Sequence, residues 1–348
     1  MIVTRTPLRI SFAGGGSDYA SFFSQEPGWV VGTTINQFVY VSVMPLPIFA
    51  EEKHRFTYRI TESVQNVKDF NHPVVRTVLQ EMKTTFRTNI STMANLPGRS
   101  GLGSSSSFTV GLINGIQNLM GAQLSPEELA RAAIKIERDI LGEPGGLQDQ
   151  YHASFGGLKT YHFNGNENVT IFEASNNQKL NEAISKRLIL IPMSELRDSS
   201  KFAELTDKNI KDQSKIELVR DMAESARELH EKLTSNVLEV EAKISFLVDT
   251  INIGWEMKSS LAGDYMGKSV VDELISTCLK KGARAARLCG AGGSGFILLV
   301  SEEGMRENLV RSLNHLNAFP IEICNTGSEL VVSEAIEYSK LGVVERFR

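Results

Sequence analysis

A glycine- and serine-rich loop runs directly into an apolar segment near the middle of the first half of the chain. It reads Leu96-Pro97-Gly98-Arg99-Ser100-Gly101-Leu102-Gly103-Ser104-Ser105-Ser106-Ser107. Residues 108–120 follow at once and are compatible with a helix. Glycines let the backbone approach a bulky anion, and a helix N-terminus presents unpaired N–H groups and the positive end of its dipole. The stretch therefore predicts a phosphate-binding loop, with a solvated turn before a helix as the alternative.

The sequence around this loop predicts an α+β fold. Strand-like runs, rich in β-branched and aromatic residues, fall at 3–13, 29–44, 54–60, 89–93, 156–163, 169–172, 188–191, 284–288, 295–300 and 329–333. Helical patterns dominate residues 199–260. Ser125 followed by Pro126 and Glu128 predicts a capped helix that runs to about Leu141. Because strands and helices are bunched, α+β suits the chain better than a regular βαβ alternation.

The length and composition narrow the class of protein. A chain of 348 residues is long enough for two domains, and we place their boundary in the polar stretch 176–186, which gives domains 1–180 and 181–348. The net charge of −4 argues against a nucleic acid or an anionic membrane as partner. No apolar run is long enough for a membrane helix, and the three cysteines have no metal-ligand spacing. We expect a cytoplasmic protein with a small-molecule substrate, and the sequence leaves a homodimer open.

Two further segments carry residues suited to a site. Near the N-terminus, a strand delivers Arg9 and then breaks at three glycines before Asp18, whose carboxylate can accept hydrogen bonds from ligand hydroxyls. The alternative is a structural ion pair between Arg9 and Asp18. A glycine–proline loop then leads to Asp149, which can accept a proton from a hydroxyl or simply cap a short helix. Glu137, in the preceding helix, can reach a metal ion or remain solvated.

The fourth segment is a glycine-rich turn between two predicted strands, Leu288-Cys289-Gly290-Ala291-Gly292-Gly293-Ser294-Gly295-Phe296. A strand rather than a helix follows it, which argues against a dinucleotide-binding fold. Taken alone, the turn fits a hairpin without a function.

Together and in this order, the four segments resemble the GHMP kinase family, over essentially the whole chain. Within that family the opening residues 6–18, the Thr34-Ile35-Asn36 turn and the segment 255–258 are similar to the bacterial heptose 7-phosphate kinases. The resemblance implies an N-terminal α/β domain with a left-handed crossover, a C-terminal ferredoxin-like domain and an active site between them. The implied reaction is transfer of a phosphoryl group from ATP, with Mg²⁺, to the anomeric hydroxyl of D-glycero-D-manno-heptose 7-phosphate.

The resemblance also implies roles for individual residues. Asp149 would be the catalytic base and Arg9 the cation beside it, an arrangement that favours the ionised carboxylate and stabilises the transferring group. Ser105 and Glu137 would hold Mg²⁺. The ATP phosphates would be wrapped by Pro97, Gly98, Arg99, Ser100, Gly101, Leu102, Gly103, Ser104, Ser105 and Ser106. The acceptor would be bound by Gly15, Gly16, Ser17, Asp18, Arg197, Lys258 and Gly292.

Three residues depart from the pattern of the family. Arg99 lies inside the phosphate loop, Ser294 replaces a glycine, and Arg287 stands where the heptose kinases often carry lysine. These departures leave two alternatives open, namely a kinase of a free sugar such as fucose or galactose, and a non-catalytic sensor of sugar and ATP. If the acceptor is a sugar phosphate, Arg197, Lys201 and Lys258 are candidate partners of its phosphate, with a solvated surface position as the alternative for each.

Overall fold

The structure is a computed structural model, and it describes residues 1–98, 100–165, 168–193, 199–211, 215–262, 268–290 and 295–333. The strands within these residues are β1 (Ile2–Ala13), β2 (Gly28–Pro45), β3 (His54–Thr57), β4 (Thr61–Val64), β5 (Thr88–Ala94), β6 (Leu158–Asn164), β7 (Asn168–Glu173), β8 (Leu188–Pro192), β9 (Ala283–Leu288), β10 (Phe296–Ser301), β11 (Phe319–Pro320) and β12 (Glu329–Ser333). The helices are α1 (Ala20–Phe23), α2 (Pro73–Glu81), α3 (Ser104–Leu119), α4 (Pro126–Ile134), α5 (Gln148–Phe155), α6 (Gln178–Ser185), α7 (Ser199–Lys211), α8 (Ile216–Thr234), α9 (Val240–Ala262), α10 (Lys268–Lys280) and α11 (Arg306–Ser312). None of these helices is long and apolar enough to cross a bilayer.

The larger sheet is built on the long strand β2. Its first half pairs with β6 and its second half with β5, while β1 runs antiparallel along both halves. The strand order is β12-β1-β2-β5-β3-β4, with β6 and β7 attached to β2. Strands β3 and β5 are parallel, whereas the other pairs of this sheet are antiparallel. The expected strands at 3–13 and 29–44 are confirmed as β1 and β2.

The smaller sheet has the order β11-β8-β10-β9 within the described part of the chain, and its paired strands are antiparallel. Strand β10 is buried at every position, as expected for a central strand with both faces covered. The apolar core on the smaller sheet includes Trp255 of α9, Val271 of α10 and Leu309 of α11. The predicted hairpin between β9 and β10 is confirmed.

Helix α3 packs against β1 and β2, which positions the loop in front of it. Two glycines of α3 make this contact close, because a Cβ on Gly111 would lie 2.7 Å from Oγ1 of Thr6 and one on Gly115 would lie 3.0 Å from Cγ2 of Val43. Helix α8, from the second half of the chain, also packs against β1 and β2. The central core therefore joins both halves of the chain.

The predicted capping box at the start of α4 is confirmed. Ser125 Oγ accepts from the backbone N–H of Glu128, whose carboxylate accepts from the backbone N–H of Ser125. The helix does not continue in α geometry to Leu141, because residues Lys135–Ile140 widen into a π-helical segment. Such segments are frequent at functional sites, and this one carries Glu137.

The polar stretch 176–186 is not a linker. It forms α6, which buries Leu180 and Ile184 in the central core. In addition, β12 returns from the end of the described chain to pair with β1. The division of the chain at residue 180 falls inside α6 and stays a prediction.

Candidate active site

A cleft of about 450 Å³ lies where the two halves of the chain meet. One side is formed by the end of β1 with the glycines that follow it, by the loop before α3, and by the start of α5. The other side is formed by α7, α9 and the end of β9. Residues from all four segments singled out in the sequence therefore face one space.

An ion pair between Arg9 and Asp149 lies in this cleft. The guanidinium binds the carboxylate at two points, with Nε to Oδ1 at 2.7 Å and Nη2 to Oδ2 at 3.0 Å. Arg9 Nη1 also donates to the carbonyl of Gly101 at 2.6 Å, and its backbone N–H donates to Leu102. Arg9 pairs with Asp149 rather than with Asp18, so the alternative of a structural Arg9–Asp18 pair is wrong. The arginine thus ties the carboxylate to the glycine loop.

The glycine loop approaches this pair closely. Gly103 has φ of +73° and precedes α3 as its N-cap, and a Cβ there would lie 3.0 Å from Cγ of Arg9. Of the residues expected around the ATP phosphates, the cleft is lined by Gly101, Gly103, Ser104, Ser105 and Ser106. Pro97, Gly98, Ser100 and Leu102 lie outside that lining, and Leu102 is buried in the apolar core. Arg99 lies outside the described residues.

Glu137 is buried, and three donors hold its carboxylate. Ser106 Oγ and Thr109 Oγ1 donate to Oε2 and Oε1 at 2.8 and 2.6 Å, and Gln150 Nε2 donates to Oε2 at 2.5 Å. The serine bonded to Glu137 is therefore Ser106, whereas Ser105, expected as its co-ligand, is exposed on the lining of the cleft. Each carboxylate oxygen has two lone pairs, so Oε1 retains one for a further partner.

Asp18 anchors the helix that carries Asp149. Its Oδ2 accepts from the backbone N–H and the side-chain amide of Gln148 at 3.2 and 3.0 Å, and its Oδ1 accepts from the N–H of Gly16 at 3.0 Å. Burial raises the pKa of this carboxyl, with a smaller contribution from the charge of Asp149. Gly146 is required beside it, because a Cβ there would lie 1.9 Å from Oδ2 of Asp18.

The other residues expected to bind the acceptor fall into three groups. Gly15 and Gly16 line the cleft together with Asp18. Ser17 does not line it, because its hydroxyl donates to the carbonyls of Gly14 and Trp29. Outside the described residues lie Arg197, Gly292 and the side chain of Lys201.

Lys258 and Arg287 contribute buried positive charge to the cleft. Burial lowers the pKa of Lys258 well below its ordinary value, and the charge of Arg287 lowers it further. Burial also lowers the pKa of Arg287, to about 10. The sequence marks Arg287 only as a departure from the family pattern, and nothing in its local sequence predicts a position in the cleft.

Gly290 and Gly295, which flank residues 291–294 between β9 and β10, pack on the phosphate loop. A Cβ on Gly290 would lie 2.3 Å from Cα of Gly101, and one on Gly295 would lie 2.1 Å from the carbonyl oxygen of Ser100. Backbone therefore meets backbone, which only glycine permits at these positions. These two glycines support the loop, a role that the sequence around them alone does not reveal.

The chain matches two families of domains and several proteins of known fold. Residues 69–157 match the GHMP kinases N terminal domain, and residues 266–318 match the GHMP kinases C terminal domain. The D-glycero-alpha-D-manno-heptose 7-phosphate kinase of Campylobacter jejuni is 25% identical over 90% of this chain and 93% of its own length. The galactokinase of Pyrococcus furiosus is 23% identical over 87% of this chain and 90% of its own length.

A solved structure with a similar fold is that of a D-glycero-D-manno-heptose 1-phosphate kinase from Bacteroides thetaiotaomicron. It superposes with a TM-score of 0.76 at 22% identity, over 96% of this chain and all of the other. At that level of identity the likeness supports the fold alone. The names of these two heptose kinases place the acceptor's phosphate at different carbons.

Proposed function

Because this chain carries both domains of the GHMP kinases in their two-domain fold and is an ATP-dependent phosphotransferase, we propose that its acceptor is D-glycero-D-manno-heptose 7-phosphate. The product would be the 1,7-bisphosphate. The observation that carries the phosphoryl-transfer chemistry is the Arg9–Asp149 pair, whose arginine also donates from Nη1 to the carbonyl oxygen of Gly101 at 2.6 Å. Phosphoryl transfer needs positioned charge more than covalent chemistry, and this arrangement supplies it.

The proposed chemistry assigns one task to each member of the pair. Asp149 accepts the proton of the anomeric hydroxyl, whose oxygen attacks the γ-phosphorus as the bond to ADP breaks. Arg9 holds the carboxylate by two hydrogen bonds and presents positive charge where the transferring group gains negative charge. The loop at Gly101 to Ser106 offers the N-terminus of α3 to the phosphates of ATP.

Mg²⁺ fits the residues around Glu137. A single carboxylate with nearby hydroxyls and nucleotide phosphates is a donor set that Mg²⁺ commonly takes. Glu137 lines the cleft and keeps an accepting position on Oε1, and Ser105 lines the same cleft with an exposed side chain. We therefore propose Glu137 and Ser105 as its protein contacts, with Ser106 and Gln150 orienting the carboxylate. Bound there, Mg²⁺ would neutralise phosphate charge.

The choice of a heptose phosphate rests on the Campylobacter relative and on the opening residues of the chain. A kinase of a free sugar is the second candidate, favoured by similarity to the Pyrococcus galactokinase and to a bifunctional fucokinase/GDP-fucose pyrophosphorylase of Arabidopsis thaliana, of which this chain covers 32%. The retained Arg9, Glu137 and Asp149 argue against a sensor without catalysis.

The test is ADP release from Mg-ATP with a panel of free and phosphorylated hexoses and heptoses, including heptose 1-phosphate. Turnover confined to heptose 7-phosphate is the expected result. Turnover of a free sugar would refute the phosphorylated acceptor while keeping the kinase. Tight binding of ATP and sugar without turnover would indicate the sensor.

A further inference from the structure

The positive charge buried on one side of the cleft exceeds the charge that partners it. Arg9, Lys258 and Arg287 line the cleft with relative exposures of 6%, 8% and 3%. Arg9 is neutralised by Asp149. No carboxylate within the described ranges forms an ion pair with Lys258 or Arg287. Among the other carboxylates of the lining, Asp18 is held by Gly16 and Gln148, and Glu137 by the donors named above. The charges that act on Glu143 are those of Glu137 and Arg138. Buried unpaired charge is costly, so Lys258 and Arg287 call for an anion.

The two cations are neighbours, because Lys258 lies one turn after Gly254 on α9 and a Cβ on Gly254 would lie 3.5 Å from Nη1 of Arg287. Lys258 Nζ donates to the main-chain carbonyl of Leu288 at 3.2 Å and to that of Gly290. Arg287 Nη1 donates to the carbonyl of Phe12 at 2.5 Å, and its Nε is buried without a partner among the described residues. Neutral main-chain oxygens satisfy some of the donors without cancelling the charge. An arginine in the lining of a cleft is suited to phosphate, because its fork of N–H groups matches the geometry of the phosphate oxygens.

The position of the pair favours the acceptor side of the cleft. Phe12, which accepts from Arg287, lies two residues before Gly14 at the start of the glycine segment that we assign to the acceptor. Lys258 lies one helical turn before Leu261 on α9, and Leu261 Cδ2 lies 4.0 Å from the position of a Cβ on Gly16. Arg287 therefore contacts the strand that leads into the segment 14–16, and Lys258 lies one helical turn from a residue near that segment.

We propose that Arg287 and Lys258 form an anion subsite that binds the phosphate monoester already present on the acceptor. The proposal rests on the proposed function, since it requires a phosphorylated acceptor. The subsite would select sugar phosphates over free sugars because a phosphate monoester supplies the counterion that these two buried basic groups otherwise lack. The other source of the same chemistry is a phosphate of ATP, since Gly290 also contacts the phosphate loop, and the experiment separates the two.

The first arm measures turnover in Arg287→Met and Lys258→Met, with Arg284→Met on the same strand as control. Arg284 is 20% exposed and lies near Glu241 and Glu302 instead of the cleft. Loss of a charge-assisted hydrogen bond predicts that kcat/KM for heptose 7-phosphate falls about tenfold to a hundredfold, with KM for ATP and kcat/KM for unphosphorylated heptose changed less than about threefold. Arg287→Lys should recover part of the loss. A raised KM for ATP with an unchanged acceptor KM would assign the pair to the nucleotide and overturn the proposal, as would equal losses on both acceptors.

The second arm needs no turnover and uses inorganic phosphate as the probe. Calorimetric titration is carried out in saturating Mg-ADP, which occupies the phosphate loop. Phosphate should bind to the wild type and to Arg284→Met, and binding should be lost in Arg287→Met. If Arg287→Met does not fold, Arg287→Lys replaces it as the variant that keeps the buried charge. If the wild type turns over no heptose phosphate but this pattern holds, the subsite stands and the proposed acceptor falls. Phosphate binding that is absent from the wild type, or unchanged in the variants, overturns the subsite.

Discussion

Replacing Gly290 with alanine tests whether contact between the two glycine segments is needed for turnover. Gly290 has φ of +69°, and a Cβ would lie 2.3 Å from Cα of Gly101 and 2.6 Å from its carbonyl oxygen. The left-handed conformation costs about 1–2 kcal/mol for a residue with a Cβ. Overpacking against backbone adds about 1–3 kcal/mol, because no flexible side chain can move aside. We expect the free energy of unfolding to fall by about 2–5 kcal/mol.

The activity should fall as well, because relieving the clash moves Gly101 by roughly 1 Å and Gly101 binds Arg9. A displacement of that size near the reacting groups predicts a loss of about a hundredfold in kcat/KM. Gly304→Ala is the matched control, since φ is +66° and a Cβ there meets nothing within 4 Å. Urea denaturation and steady-state ADP release should show a loss of about 1–2 kcal/mol for the control with activity intact. Equal stability and equal activity of the two variants would refute the reasoning.

Three further outcomes follow from single groups. Burial lowers the pKa of His152 well below its ordinary value, so as the pH falls the unfolded state binds a proton before the folded state does. The free energy of unfolding should therefore fall as the pH drops below about 6.5. Urea denaturation at several pH values should show that His152→Leu reduces this pH dependence by at most about 1.4 kcal/mol per pH unit. Burial raises the pKa of the Cys278 thiol to about 11 and that of the Cys289 thiol above its ordinary value. A thiol reagent should therefore react rapidly with one cysteine of the native protein, Cys324. Rapid reaction of all three cysteines would contradict the packing. Glu137→Gln should raise the Mg²⁺ concentration for half-maximal turnover by about tenfold or more, and an unchanged magnesium titration would exclude this carboxylate as a contact.

Local patterns in the sequence predicted elements whose cause is local. The Ser125–Glu128 capping box, the strands β1 and β2, and the short helix beginning near Asp149 all follow from residues within a few positions of one another. The glycine loop before α3 is of the same kind, since its glycines and the helix behind it are contiguous.

Long-range contacts were beyond the reach of those patterns. Arg9 and Asp149 are 140 residues apart, and the sequence alone left Asp18 as an equal partner for the arginine. The resemblance to GHMP kinases resolved this choice, whereas periodicity could not. The partnership of Lys258 with Arg287 depends on α9 packing on β9, and the support of Gly101 by Gly290 depends on the meeting of the two halves of the chain.

For Asp18, the sequence predicted a carboxylate near the site but not the hydrogen-bond partners of that carboxylate. A carboxylate after three glycines suggested a site for hydroxyls, but its oxygens accept from Gly16 and Gln148 and hold the start of α5. The sequence likewise pointed to Ser105 beside Glu137 as a metal contact but gave no sign that Ser106 bonds to the Glu137 carboxylate. A shift of one residue at a helix start turns a side chain through about 100°, which no sequence pattern in this loop specifies.

The most direct test of the central claim is ADP release by Asp149→Asn with heptose 7-phosphate, beside the exposed control Asp249→Asn. We expect Asp149→Asn to lose at least about a hundredfold in kcat, as for removal of a general base, while KM for ATP stays near the wild-type value and the control is unchanged. A kcat within a few-fold of the wild type would show that Asp149 is not the base and would contradict the proposed mechanism.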